Sequence, residues 1–160
     1  MRNKILVFFI IVSGMVSADT GSNVGYWSVK CGGFGGYINV SQSSTVTINI
    51  NDNNLLVDAR LVESRGGYAE LFFVDVLESR NEIINWDSIS RSKPIAKLNF
   101  NSNSNSNSNS NSNSNSNSIA VDWFGFFDEK DQKYVWDTQP DFVVAEKKKD
   151  GMTLHKCVFD

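Results

Sequence analysis

From Thr45 to Glu63 the chain reads TVTININDNNLLVDARLVE. Val46, Ile48 and Ile50 alternate with Thr45, Thr47 and Asn49, which is the period-two pattern of a strand with one face in a core. Asp52-Asn53-Asn54 supplies side chains suited to a tight turn, and Leu55, Val57, Ala59 and Leu61 then resume the alternation. The two runs are expected to pair as an antiparallel hairpin.

The same pattern continues to either side. Upstream, Gly25 to Cys31 sets Trp27, Val29 and Cys31 against Tyr26, Ser28 and Lys30; a glycine-rich turn over residues 32 to 36 leads into a short strand from Tyr37 to Val40. Downstream, Tyr68 to Leu77 is almost continuously apolar, as in a strand covered on both faces. Pro94 opens a strand in which Ala96, Leu98 and Phe100 share a face. Ile119 to Phe127 and Tyr134 to Asp137 read as a further hairpin, followed by runs over Phe142 to Glu146 and Met152 to Phe159. At most one short helix is expected, near residues 79–87. About eight or nine strands joined mostly as hairpins predict an all-β domain, either an antiparallel β-barrel or a β-sandwich.

Arg2 and Lys4 precede a wholly apolar run from Ile5 to Val12, and Val16-Ser17-Ala18 ends it with small residues. This is the layout of a secretory signal peptide over residues 1–18, with cleavage after Ala18. Its apolar stretch is shorter than the roughly 20 residues that span a bilayer core, so no membrane span is expected after cleavage. The expected location is periplasmic or secreted, with residues 19–160 as a single β domain. Losing Arg2 and Lys4 takes the formal net charge from -3 to -5. An acidic chain is poorly suited to nucleic acid, whose phosphates call for a basic face.

Cys31 and Cys157 are the two cysteines. In an oxidising compartment they are expected to form one bridge across nearly the whole domain. That bridge would hold the first strand beside the last. In strand parity, however, Cys157 falls with Thr153 and His155, opposite the apolar Met152, Leu154 and Val158. A bulge, or a bridge at strand ends, would reconcile this.

Residues 101–118 are nine consecutive Asn-Ser pairs. With no apolar side chain or charge, nothing there repays the entropy of ordering, so a disordered loop between two strands is expected. Loop-closure entropy rises only logarithmically with length, which makes such an insertion tolerable. No asparagine in the tract forms an N-x-[ST] acceptor; Asn39-Val40-Ser41 does.

Catalytic and metal signals are sparse. His155 is the single histidine, and no nucleophile-elbow sequence accompanies it. One histidine and two bridged cysteines are a poor ligand set for zinc or copper, and no cofactor is expected. Carboxylates cluster at turns without calcium-loop spacing. A hydrolase acting on cell-wall or polysaccharide material would need two of Glu63, Glu70, Asp75, Asp122, Asp128 and Asp137 to converge.

Aromatics are the stronger signal. Trp123, Phe124, Phe126 and Phe127 place rings on both faces of one run, and Tyr134 and Trp136 follow across a turn. They mark either a central strand covered on both sides or a recognition patch. Lys147, Lys148 and Lys149 form a basic tip suited to an acidic partner. In size, export signal and terminal clasp the chain resembles small exported β-proteins that neutralise an enzyme, such as lysozyme inhibitors and immunity proteins, although no motif carries over. The expected function is a non-enzymatic binding protein that inhibits or neutralises a protein partner. Trp123, Phe124, Phe126, Tyr134, Trp136 and Lys147 to Lys149 are its candidate surface. The alternatives are the carboxylate hydrolase and a barrel enclosing a small ligand.

Overall fold

The computed structural model describes residues 23–32, 36–51, 55–80, 83–101, 117–136, 140 and 152–158. The expected signal peptide, the interior of the Asn-Ser tract, Asp137, the expected strand over 142–146 and the lysine tip at 147–149 lie outside them.

Among the described residues ten strands follow in chain order: β1 (Gly25–Ser28), β2 (Tyr37–Val40), β3 (Thr45–Asn51), β4 (Leu55–Ser64), β5 (Tyr68–Ser79), β6 (Pro94–Asn99), β7 (Ser118–Trp123), β8 (Phe126–Asp128), β9 (Lys133–Val135) and β10 (Met152–Cys157). The helical content among the described residues is one 3-10 turn, Trp86–Ser88. β1 to β7 pair in sequence as an antiparallel meander, and β10 closes the ring between β7 and β1. The result is a closed eight-stranded barrel, while β8 and β9 form a separate two-stranded sheet. Closure settles the choice between barrel and sandwich.

The hairpin expected from residues 45 to 63 forms as β3–β4, with Val46 opposite Ala59 and Ile48 opposite Val57. Its inward positions join Trp27, Ile38, Leu71, Leu98, Ile119 and Leu154 in one buried cluster. An eight-stranded barrel is just wide enough for side chains to fill. These six are essentially inaccessible to solvent, so the middle of the barrel is a packed core. At one end Trp27 meets Phe100 edge-on at 6.0 Å, and its indole N–H donates to the Asn23 carbonyl.

Three local expectations need correction. β5 is not covered on both faces: Ala69, Leu71 and Phe73 are buried, whereas Tyr68 and Val74 are exposed. The barrel wall is a single layer, so outward positions on β5 face solvent whatever their chemistry. β5 also carries two bulges, where Val74 and Leu77 have no opposite residue on β4.

Ile119 to Phe127 is not one strand either. β7 stops at Trp123, and Gly125 at φ 89° turns the chain out of the barrel, a backbone region that glycine enters freely. β8 then pairs with β9, with Phe127 opposite Tyr134.

The first strand ends at Ser28, not at Cys31. Cys157 lies opposite Tyr26, yet Cys31 and Cys157 are bridged with their Cα atoms 5.5 Å apart. The chain after Ser28 must therefore double back, and in that bend the Ser28 hydroxyl lies within donating distance of the Lys30 (3.4 Å) and Gly36 (3.3 Å) carbonyls, which share its one proton. Cys157 is the last residue of β10, so the bridge sits at a strand end, which resolves the parity conflict.

Candidate recognition face

The β8–β9 hairpin and the 3-10 turn close the second end of the barrel. Backbone hydrogen bonds fix the hairpin there: Phe124 N–H donates to the Ile95 carbonyl (2.9 Å), Ser90 N–H to Phe127 (2.8 Å) and Glu129 N–H to Ser88 (2.9 Å). Beneath it, Phe126 packs edge-on against Phe73, Trp86 and Trp123, with centroids 5.2 to 5.6 Å apart. Such aromatic pairs add to the burial term.

The candidate surface residues therefore separate. Phe126 is fully buried, which corrects its expected place on the surface: the turn at Gly125 directs it under the barrel end. Trp123 and Trp136 are partly buried against the core, and the Trp123 indole N–H donates to the Trp136 carbonyl (3.1 Å). Phe124 and Tyr134 lie on the outer side, 6.4 Å apart, and Phe127 stands 5.2 Å from Tyr134. The Tyr134 hydroxyl donates to the Pro94 carbonyl, which ties this outer side to β6. Partial burial, then the charge of Glu70, raise the Tyr134 pKa above its ordinary value, so the phenol keeps the proton it donates.

Pro94 is opposite Phe72 on β5, and Phe72 is opposite Arg60 on β4. The outer aromatics of the hairpin thus run on into the outer wall of β4, β5 and β6. Three cations lie over rings along this wall: Arg60 over Phe72 (5.0 Å to the centroid), Lys97 over Tyr68 (4.6 Å) and Lys93 over Phe127 (5.6 Å). Among the described residues the exposed large hydrophobics are Val62, Tyr68, Val74, Leu77, Ile83, Tyr134 and Val158. All but Val158 belong to β4, β5, the connection after β5, or the hairpin. Val62, Tyr68, Val74, Leu77 and Tyr134 thus lie on the outer wall and the hairpin, whereas Ile83 lies on the Val135 side of the hairpin.

Phe124 and Tyr134 could be picked out from a local run of aromatics. Arg60, Tyr68, Phe72 and Lys97 could not, because they meet only through the register of three strands. The one signal in sequence was the continuous apolar run of β5, which puts aromatics at outward as well as inward positions.

The carboxylates weighed for hydrolysis are dispersed. Glu63 accepts a hydrogen bond from Asn23 at the end of β4. The Asp75 carboxylate accepts from Val76 N–H in the bulged part of β5. Glu70 and Asp122 lie on either side of Lys97 in the register, on the convex outer wall. Asp128 opens the β8–β9 turn, where its Oδ1 accepts from Lys130 N–H (2.8 Å) and Asp131 N–H (3.2 Å). Burial pushes its pKa up. The opposing backbone hydrogen bonds of Asp131 and Lys130, the Ser88 hydroxyl and the Lys130 charge outweigh this and hold it below the ordinary value.

Asp128 also lines a cleft of about 320 Å³ with Ile83, Ile84, Ser88, Lys133 and Val135, on the side of the hairpin opposite Tyr134. His155 is exposed on β10 opposite Ser28. No described group of three His, Cys, Asp or Glu side chains could hold a metal ion, and no described helix is long and apolar enough to cross a membrane. No protein-family model, curated protein or solved structure matches this chain.

Proposed function

We propose that this is an exported, non-enzymatic binding protein whose outer wall over β4, β5, β6 and the β8–β9 hairpin captures and blocks a protein partner. One observation carries the reading: five of the seven exposed large hydrophobics among the described residues, Val62, Tyr68, Val74, Leu77 and Tyr134, lie there, beside phenylalanines and an arginine. Tyr and Arg are over-represented among the residues that dominate protein interfaces, and a contiguous apolar patch on a soluble domain marks an interaction site. The scaffold also suits the task, because the face is built on paired strands and a docked hairpin, so little ordering is needed on binding. The packed barrel centre favours a surface over an enclosed ligand. The bridged cysteines and the amino-terminal signal pattern support an oxidising location outside the cytosol.

The test is affinity capture from the native envelope and culture fluid with the mature domain as bait, alongside Tyr68→Ala and Tyr134→Ala. Both tyrosines are exposed, so neither truncation threatens the core. The parent is expected to retain a specific protein that each variant holds at least about ten-fold less tightly, the scale of an interface hot spot. Recovery of no specific protein, together with hydrolysis of peptidoglycan fragments, would replace this reading with the hydrolase.

A further inference from the structure

We infer that the partner meets this face with carboxylates: an acidic peptide segment or acidic protein surface that pairs with Arg60, Lys93 and Lys97. The inference rests on the proposal that the face is the binding surface, and adds the chemistry of what it binds.

Among the described residues the one ion pair within 4.0 Å is Lys133–Asp131. Lys97 is opposite both Glu70 and Asp122 in the register, yet forms an ion pair with neither. Instead its ammonium rests over the ring of Tyr68. Arg60 and Lys93 are likewise held by rings rather than carboxylates.

A cation on an aromatic face is positioned without being neutralised. A guanidinium over a ring keeps its N–H donors at its rim, where a carboxylate can take two of them. Because the side chains are already placed, less rotamer entropy is lost when a partner arrives. The wall thus presents three ring-supported positive charges, none of them in an ion pair within 4.0 Å, among apolar rings, on a chain whose formal net charge is -3. A carboxylate-bearing partner complements that pattern, with its apolar side chains against Tyr134 and Phe124. Nucleic acid and sulfated glycan fit less well. Glu70 and Asp122 interrupt the positive strip, and a long polyanion would meet the acidic remainder of the molecule.

The experiment selects binders to the full mature domain from a random peptide display library, with heparin and single-stranded DNA as competing probes. Selected peptides are expected to be rich in Asp and Glu interleaved with apolar residues, and their affinity to fall as salt rises. The triple variant Arg60→Gln, Lys93→Gln, Lys97→Gln should bind them at least ten-fold more weakly at an unchanged melting temperature. Glu70→Gln, which removes a like charge from the contact zone, should bind them a few-fold more tightly, a gain that a purely structural role would not produce. Neutral or basic selected peptides, full affinity in the triple variant, or tighter binding of heparin or DNA would overturn the acidic partner. If Tyr134→Ala still weakens the selected peptides in that case, the face stands as the binding surface. If neither variant changes binding, both readings fall.

Discussion

Phe126 and Asp128 are two residues apart and hold the hairpin in opposite ways. Phe126 is wholly buried among three other rings, so truncation leaves a cavity that the rigid barrel end cannot fill. Phe126→Ala is expected to destabilise the domain by about 3–5 kcal/mol in urea unfolding, the range for deleting a buried phenyl ring. A loss below about 1 kcal/mol would mean that the hairpin is not part of the cooperative unit. Asp128 acts through its charge, since its folded pKa lies below the unfolded value. Its contribution is therefore complete above about pH 4 and is lost as the pH falls through the folded value. Asp128→Asn is expected to flatten the acid limb of a stability-against-pH curve measured by denaturant midpoints; superimposable curves for parent and variant would refute this.

At the scale of elements, the β6–β7 connection holds the longest low-complexity segment, yet its two ends do structural work. The Asn101 side chain donates to the Gly66 carbonyl, and the Asn117 carbonyl accepts from Lys156 N–H. Gly67, at φ 75°, occupies the left-handed region that favours glycine, and a Cβ there would also displace the Asn101 side chain. Removing residues 102–116 and joining Asn101 to Asn117 by a short turn is expected to leave the melting temperature within a few degrees of the parent. A larger fall would show that the interior of the tract supports the barrel. Most strands were legible because alternation reports directly on a one-sided wall, as in Val46, Ile48 and Ile50. The break within Ile119 to Phe127 was not. An apolar run gives no warning that a single glycine will take a positive φ and send Phe126 under the barrel instead of along its wall.

For the whole molecule, a closed ring of antiparallel strands explains both what the sequence revealed and what it withheld. Closure was foreshadowed by Cys31 and Cys157, whose bridge requires the first and last strands to be neighbours. The face was half visible. Phe124 and Tyr134 stood out from neighbours in the chain, whereas Arg60, Phe72 and Lys97 acquire their meaning only when β4, β5 and β6 lie side by side. Local patterning reports which side of a strand is buried, and it is silent on what stands beside it.

The bridge also changes the connectivity of the protein as an object. The covalent path runs from Cys31 through every strand from β2 to β10 and returns through sulfur, so the chain between the cysteines is a macrocycle. A single cut anywhere on that cycle, including within the Asn-Ser tract, yields no free fragment. Two cuts, or one cut with reduction, are required before a piece can depart. A cut between β6 and β7 would thus leave the domain a single covalent molecule.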